Sequence, residues 1–203
     1  MRLDFTTLAP REAYGWMIST ILPRPIAWVS TISSAGITNL APFSFFQGVC
    51  ANPPTLMFVP VNTRDGKKKD TVRNLEQVPE CVVNLVPFAL AEQMNACAAL
   101  LPYGESEFER FGITAAPSEQ VHPPRVAAAP VAFECRLDRF VHIGEGPLAA
   151  NVIFARILTA HIADDVLGDG GLPDAGKLDL IGRLGGESYA RTTERFALQR
   201  PDR

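Results

Sequence analysis

The chain has 203 residues, 47% of them hydrophobic and 20% charged, a composition that fits one globular domain with a sizeable core. Its net charge of −3 offers no cationic surface to a polyanion, so nucleic acid is not expected as a partner. The N-terminal residues contain no apolar leader, and no run of about 18 uncharged apolar residues follows, so neither secretion nor a membrane-spanning segment is expected.

The four cysteines are far apart in the sequence and form no C-x-x-C pair. Cys50, Cys81, Cys97 and Cys135 all lie in apolar stretches, so we predict that they are reduced residues of the core. Free thiols of this kind are typical of a reducing compartment. The sequence therefore predicts a cytoplasmic protein.

The N-terminal part of the chain predicts one helix and then four strands. The helix begins near Thr6, Thr7 and Pro10 and ends before Pro23. Alternating apolar and β-branched residues then predict strands at 26–32, 37–40, 43–49 and 55–61, with turns at 33–36 and 52–54. Consecutive strands joined by short turns favour an antiparallel barrel or sandwich.

A basic loop at residues 62–71 connects the fourth strand to a predicted helix that starts at VRNLEQ. The loop carries four cations, at positions 64 and 67–69, and a glycine. A helix start presents unpaired N–H groups and partial positive charge, so cations beside it make a suitable site for a phosphate group. The same residues also fit a solvated charge run with Asp70 as the helix cap, and the local sequence leaves both interpretations open.

The second half of the chain predicts the rest of the sheet. Residues 81–86 indicate a buried strand and 89–100 a helix, and a proline-rich surface loop follows at 117–130. Strands predicted at 131–143, 150–162 and 178–181 complete the sheet. The acidic stretch 164–176 lacks the spacing and the terminal glutamate of a calcium loop, so we predict a solvent-exposed loop there.

Several other chemistries lack their motifs in this sequence. His122, His142 and His161 lie in separate segments, so no zinc site is predicted. There is no G-x-S-x-G elbow, no P-loop and no G-x-G-x-x-G fingerprint. A dedicated dinucleotide-binding fold is therefore not expected.

Five sequence blocks, taken together and in order, resemble one known family. They are RPIAWVST, NLAPFSFF, NPPTLMF, KKDTVRN and RLGGESY. The series is similar to the flavin reductase-like family of FMN-binding split-barrel proteins, and most to the branch with flavoredoxin and the reductase components of two-component monooxygenases. Each block alone would be weak, but the series covers nearly the whole chain. The resemblance implies a mainly β fold for residues 1–203, a single antiparallel split β-barrel with peripheral helices.

The resemblance also implies which residues bind FMN. The first two blocks are expected to flank the isoalloxazine ring, with the Ser44 hydroxyl at its polar edge. The KKDTVRN block is expected to bind the phosphate, and RLGGESY to approach the flavin from the other side. The implied residues are Trp28, Val29, Ser30, Thr31, Ala41, Phe43, Ser44, Phe45, Lys69, Asp70, Thr71, Asn151, Arg183, Gly185 and Tyr189. No metal ligand and no catalytic side-chain acid or base is expected.

One departure from the family pattern falls on Asn151. Related reductases often have a histidine there, in the pattern H-x-x-F-x-G, and Ala155 and Arg156 replace the usual continuation. The departure bears on the reduction of free flavin more than on FMN binding.

The activity implied by the resemblance is that of an NAD(P)H:flavin oxidoreductase. NADH or NADPH would bind transiently and reduce the flavin by hydride transfer, and reduced flavin or electrons would pass to a partner oxygenase or another acceptor. The family also implies a homodimer with the flavin site across the subunit interface. The alternative is a flavoprotein without free-flavin reductase activity, either an electron carrier or a non-catalytic flavin-binding barrel.

Overall fold

In the computed structural model, which describes residues 1–201, antiparallel strands form most of the regular structure. The strands are β1 (Ala27–Ile32), β2 (Thr38–Phe43), β3 (Phe46–Ala51), β4 (Pro54–Phe58), β5 (Glu80–Leu85), β6 (Ala115–Ala116), β7 (Arg125–Val126), β8 (Val131–Ile143), β9 (Ala150–Ile162), β10 (Ile181–Arg183) and β11 (Tyr189–Arg191). Seven of them form one antiparallel sheet in the order β2–β1–β5–β8–β9–β4–β3. The pairs β6–β7 and β10–β11 are separate small hairpins.

The two edge strands of the large sheet are neighbours in the sequence. Only Ser44 and Phe45 separate the end of β2 from the start of β3. The sheet must therefore curve until its edges approach each other, and the amide of Val59 donates to the Phe45 carbonyl at this corner (2.9 Å). The predicted antiparallel barrel is confirmed.

The barrel interior is filled by apolar side chains that alternate along the strands. Members of this cluster include Val29, Phe43, Phe58, Val83 and Ile153, and all of them are buried. Because side chains of a strand point alternately to its two faces, Trp28 lies on the outer face of β1. There it packs in a second cluster with Leu40, Met94 and Phe108.

The helices lie around the barrel. They are α1 (Pro10–Thr20), α2 (Asp70–Gln77), α3 (Ala91–Ala96), α4 (Glu107–Arg110) and α5 (Ala175–Leu178), with short 3-10 turns at Phe5–Thr7, Phe88–Leu90 and Asp164–Val166. Val72 and Leu75 of α2 pack into the barrel cluster, and α3 and α4 cover the outer face of β1 and β2. Helix α1 has no buried residue, in contrast to α2, α3 and α4.

Most predicted elements are present, but the helix predicted at 89–100 is only α3 (Ala91–Ala96), and the strand predicted at 55–61 is β4, which ends at Phe58. Three further predictions need correction. The strand predicted at 43–49 is broken at Ser44 and Phe45, where the chain passes from one edge of the sheet to the other. The strand predicted at 178–181 begins only at Ile181, because α5 extends to Leu178 and Asp179 then adopts a left-handed conformation (φ 45°). Cys50 is exposed on the edge strand β3, whereas Cys81, Cys97 and Cys135 are buried as predicted. Within residues 1–201, no helix has both the length and the apolar character needed to cross a membrane.

Candidate functional site

A surface cleft runs along the start of α2, and Lys69 lies at its centre. Three adjoining hollows of about 180, 90 and 970 Å³ all have Lys69 in their walls. We call them the first, second and third hollow of the Lys69 cleft. The first is lined by Tyr14, Phe43, Ser44, Phe45 and Val61, the second by Asn39, Ala41, Asp70, Thr71, Leu101 and Glu107, and the third by Asn62, Arg64, Lys67, Lys68, Arg73 and Tyr103, among others.

Lys69 is the cation of this loop that lacks a carboxylate partner and also stands at the helix start. Lys67 pairs with Asp65 (2.7 Å), Lys68 with Glu76 and Arg73 with Asp70 (3.2 Å), but no carboxylate pairs with Lys69 among residues 1–201. Partial burial lowers the pKa of Lys69, and the charge of Asp70 opposes this shift. The amine is therefore available to an anion in the cleft.

The amides at the start of α2 also indicate an anion site. Lys69 occupies the N-cap position and Asp70 is the first helical residue. Asp70 is therefore not the helix cap, contrary to what the alternative of a solvated charge run had supposed. Within residues 1–201 the amides of Asp70 and Thr71 have no acceptor, whereas those of the next two residues bond the Lys69 carbonyl. Unpaired amides beside a free amine form the kind of site that binds a phosphate group, and Thr71 lies beneath the surface of this site with 0% exposure.

A buried polar network fixes α2 against the barrel beneath this site. The Asn39 amide donates to the hydroxyls of Thr71 (3.1 Å) and Thr31 (3.4 Å), and the Asn74 amide also donates to Thr31 (3.1 Å). The Tyr103 hydroxyl donates to the Asn74 side-chain oxygen (3.2 Å). Tyr103 is 42% exposed at the edge of the network, but Asn39, Thr31, Thr71 and Asn74 satisfy one another away from solvent. The helix start is therefore held in one position.

The first hollow combines aromatic walls with one oriented hydroxyl. The rings of Tyr14 and Phe45 meet edge to face with centroids 6.2 Å apart. Phe43 stacks on Phe58 at 5.8 Å and is 8% exposed, so it forms the floor. Ser44 accepts a hydrogen bond from Nε of Arg24 (3.2 Å). Such a hollow suits a flat ring with a polar edge.

Residues 28–31 of the RPIAWVST block do not line the cleft. Trp28, Val29, Ser30 and Thr31 are 0% exposed in the core. Strand β1 is paired with β2 on one side and β5 on the other, so the backbone amides at 28–30 are used within the sheet. The resemblance had placed these residues beside the ring; in this chain their side chains form the layer behind the cleft.

Asn151 is also a structural residue in this chain. Its amide donates to the Pro60 carbonyl (3.2 Å) and to the Asn62 side-chain oxygen (2.9 Å), and its oxygen lies 2.9 Å from Nδ1 of His142. These contacts hold the segment after β4 against β9. Asn151 therefore supports the third hollow through Asn62 and does not line it.

The RLGGESY block forms part of the β10–β11 hairpin and does not line the cleft. The Arg183 guanidinium lies over the Tyr189 ring (4.4 Å from its centroid), and the Tyr189 hydroxyl donates to the side-chain oxygen of Asn95 (3.0 Å). Gly185 lies so close to α1 that a Cβ there would sit 3.0 Å from Oγ of Ser19. The glycine thus allows the hairpin to pack on the helix.

Several residues in or behind the cleft were not predicted from the sequence, and three of them bear on its chemistry. Tyr14 lines the first hollow from α1, and Arg24 holds Ser44 from behind. Glu107 is 5% exposed, lines the second hollow and accepts a hydrogen bond from the Leu40 amide (2.7 Å). Burial raises the pKa of Glu107, with a smaller contribution of the same sign from Asp70, while backbone hydrogen bonds oppose it. The segment around Glu107, GESEFERF, is strongly charged, so the sequence did not distinguish Glu107 from its exposed acidic neighbours.

Comparison with known proteins assigns the family. The Flavin reductase like domain matches residues 18–176, which is most of the chain. The chain belongs to the flavin reductase-like family. The resemblance inferred from the five blocks is thereby confirmed.

Solved structures agree with this assignment. The chain is similar to nitrilotriacetate monooxygenase component B from Bacillus cereus, with a TM-score of 0.91, 32% identity and 98% of each chain covered. It is also similar to the 2-nitrobenzoate 2-nitroreductase NbaA of Pseudomonas fluorescens (TM-score 0.87, 28% identity, 99% and 96% covered). A flavin reductase with a split barrel domain from Shewanella frigidimarina shares the fold (TM-score 0.84, 20% identity, 99% and 100% covered). The mainly β split-barrel fold is confirmed.

Proposed function

We propose that this chain, as a single domain, binds FMN in the Lys69 cleft and reduces it with NADH or NADPH. The observation that carries the proposal is the free, half-buried amine of Lys69 beside two unpaired amides, at the junction of three hollows. With the phosphate bound at Lys69, the first hollow is the space for the isoalloxazine ring. Membership of a flavin reductase-like family supports the same conclusion.

Each part of the cleft has one task in this proposal. Lys69 and the amides of Asp70 and Thr71 would hold the phosphate. The side chains of Tyr14 and Phe45 would form the walls on either side of the flavin ring. Bound flavin would supply N5 as the hydride acceptor. The Ser44 hydroxyl would donate to the electron-rich edge of the ring, and charge there is stabilised by such fixed donors. Ala41 and Phe43 would contribute apolar contact.

The reduced flavin has two possible fates. Similarity to component B of a monooxygenase supports release of reduced flavin to a partner oxygenase. Similarity to a nitroreductase supports the second candidate, a flavin that stays bound and passes electrons to another acceptor. A non-catalytic flavin-binding barrel is the remaining alternative.

Spectra and kinetics on the purified full chain discriminate these possibilities. NADH and NADPH oxidation is followed with and without added free FMN. Turnover that rises with free FMN supports a reductase that releases flavin. A flavin absorption band that survives desalting, with turnover only when a separate acceptor is added, supports the second candidate. Flavin binding without NAD(P)H oxidation would leave the non-catalytic barrel, and no flavin binding would refute the proposal.

We also propose that the working form is a homodimer in which a second copy covers α1. Trp16, Met17 and Ile21 on or next to α1 are 38%, 39% and 54% exposed, and Tyr14 of the same helix lines the first hollow. Contiguous exposed apolar groups of this kind favour burial against another surface. The cytoplasmic location stays a prediction from the sequence.

A further inference from the structure

Arg24 is a charged residue that is almost completely buried behind the first hollow. Its side chain is 4% exposed, and no carboxylate pairs with it among residues 1–201. Its backbone is fixed by two hydrogen bonds with the backbone of Arg183 (3.0 and 2.8 Å). A buried charge without an ionic partner is costly unless other groups compensate it.

Carbonyl oxygens of two segments provide that compensation. Nη1 donates to the carbonyls of Ile18 (2.6 Å) and Ile21 (2.9 Å), and Nη2 donates to that of Leu184 (3.0 Å). The first two lie at the C-terminal end of α1, where unpaired carbonyls and the helix dipole favour a cation. Burial lowers the pKa of Arg24, and the nearby Tyr14 opposes the shift, but a guanidinium remains charged at neutral pH.

The fourth contact of Arg24 reaches the cleft. Its Nε donates to Oγ of Ser44 (3.2 Å), and Ser44 lines the first hollow. An arginine can only donate, so it occupies a lone pair of the hydroxyl oxygen. The Ser44 proton must then point away from the guanidinium, and within residues 1–201 it has no other side-chain partner. Ser44 is left as a donor toward the hollow.

We propose that Arg24 is a positioning residue that orients the Ser44 hydroxyl so that it donates a hydrogen bond to the flavin ring. This inference rests on the proposed function, because it concerns the same cleft. Arg24 does not touch the ring and acts through Ser44 alone. A donor fixed toward the ring favours the electron-rich reduced form over the oxidised form, so the Arg24–Ser44 pair sets the reduction potential of the bound flavin.

The test is the midpoint potential of flavin bound to the wild type and to the variants Ser44→Ala, Arg24→Met and the double variant. Each single variant should lower the potential by about 30 mV, which corresponds to a tenfold loss of preference for reduced flavin. The double variant should match the single ones, since both changes remove the same donor. Arg191→Met is the matched control, because Arg191 pairs with Asp179 away from the cleft, and its potential should equal that of the wild type.

Arg24→Lys replaces Arg24→Met if the latter does not fold, since lysine retains the buried charge but lacks the Nε donor. The unfolding temperature of each apoprotein is measured in parallel, because a merely structural arginine would lower it and leave the potential unchanged. An unchanged potential in the Arg24 variants, or a double variant that sums the two single losses, would overturn the inference. A wild type that binds no flavin would refute the proposed function itself and this inference with it.

Discussion

Lys69 differs from its lysine neighbours because no carboxylate pairs with it among residues 1–201. We expect Lys69→Ala to weaken FMN binding roughly ten- to a hundredfold, since one charge-assisted phosphate contact contributes about 1.5 to 3 kcal/mol. Riboflavin lacks the phosphate and should bind the variant as it binds the wild type. Titrations of the apoprotein with each flavin, followed by flavin fluorescence, measure both affinities.

Lys68→Ala is the matched control for this prediction. The Lys68 amine is bonded to Glu76, so its loss should change FMN affinity little. Equal FMN affinity in Lys69→Ala and the wild type would place the phosphate elsewhere in the cleft. Equal losses for FMN and riboflavin would instead point to a general distortion of the site.

Glu107 leads to a prediction about pH. Its pKa is raised in the folded chain, chiefly by burial, so ionisation costs the folded state stability as pH rises through that pKa. Glu107→Gln removes this cost and retains an acceptor for the Leu40 amide. We expect the variant to unfold at a higher temperature than the wild type at pH 7 to 8. The difference should shrink toward pH 4, where the carboxyl is largely protonated in both states.

Glu109→Gln on the same helix is the control, because Glu109 is exposed and its substitution should shift the unfolding temperature little at any pH. Thermal melts of both variants between pH 4 and 8 provide the comparison. A loss of stability in Glu107→Gln that is the same at every pH would show that the carboxylate is stabilised by contacts and not destabilised by burial.

The implied site residues illustrate what a sequence can predict at this scale. Lys69 lies in the cleft because its signal, a basic loop before a helix start, is short-range. Ser44 and Phe45, which the resemblance implied, also lie there. Trp28 and Val29 do not, because both faces of β1 are covered by distant parts of the chain. Burial by α3 and α4 is a tertiary effect that no pattern within β1 reveals. The same holds for Arg24, whose partners are up to 160 positions away.

Helix α2 depends on the buried hydroxyl of Thr31, which accepts from the amides of Asn39 and Asn74. Thr31→Val keeps the shape but removes the acceptor, so the Asn74 amide donor is left without a partner. We expect the variant to lose about 1 to 3 kcal/mol of unfolding free energy, the usual cost of an unsatisfied buried donor. Urea unfolding of the apoprotein measures this loss. FMN affinity should fall as well, because the helix start loses its support.

Thr55→Val on β4 is a suitable control, since Thr55 is half-buried and bonds only the local Pro53 carbonyl. It should change stability by no more than about 0.5 kcal/mol. If Thr31→Val proved as stable as this control, the polar network would not hold α2, and the position of the phosphate site would need another explanation.

The accuracy of the predicted elements follows from how local their signals are. The strands predicted at 131–143 and 150–162 are confirmed at both ends as β8 and β9, because each is long, alternating and bounded by turn residues. The stretch 43–49 looked continuous because Phe43, Phe45, Phe46 and Val49 are all strand formers. Its break at Ser44 arises from barrel closure, which brings β2 and β3 to opposite edges of one sheet.

At the scale of the whole molecule, barrel closure explains why the cleft lies where it does. The corner at Ser44 and Phe45 faces the segment after β4, and that segment continues into the basic loop before α2. The two parts of the site are thus joined by a few residues of chain. Helix α1 borders the same corner through Tyr14, while its apolar residues Trp16 and Met17 remain exposed.

That arrangement predicts linkage between flavin binding and dimerisation. If a second copy covers α1 beside the first hollow, FMN binds the dimer in preference to the monomer. Dilution should then release flavin, and FMN at a hundredfold excess over its Kd should stabilise the dimer by about 2.7 kcal/mol. Analytical ultracentrifugation across a dilution series, followed at the protein and flavin absorption bands, measures both.

Trp16→Glu tests where the proposed interface lies. It places a charge on the exposed face of α1, so it should shift the chain toward monomer and weaken FMN binding in the same concentration range. Leu172→Glu, at a side chain that is 77% exposed in the loop before α5, should do neither. A wild-type monomer that sediments with full flavin occupancy would show that one barrel completes the site. In that case the exposed residues of α1 would have no part in flavin binding, and Tyr14 would reach the first hollow without help from a second copy.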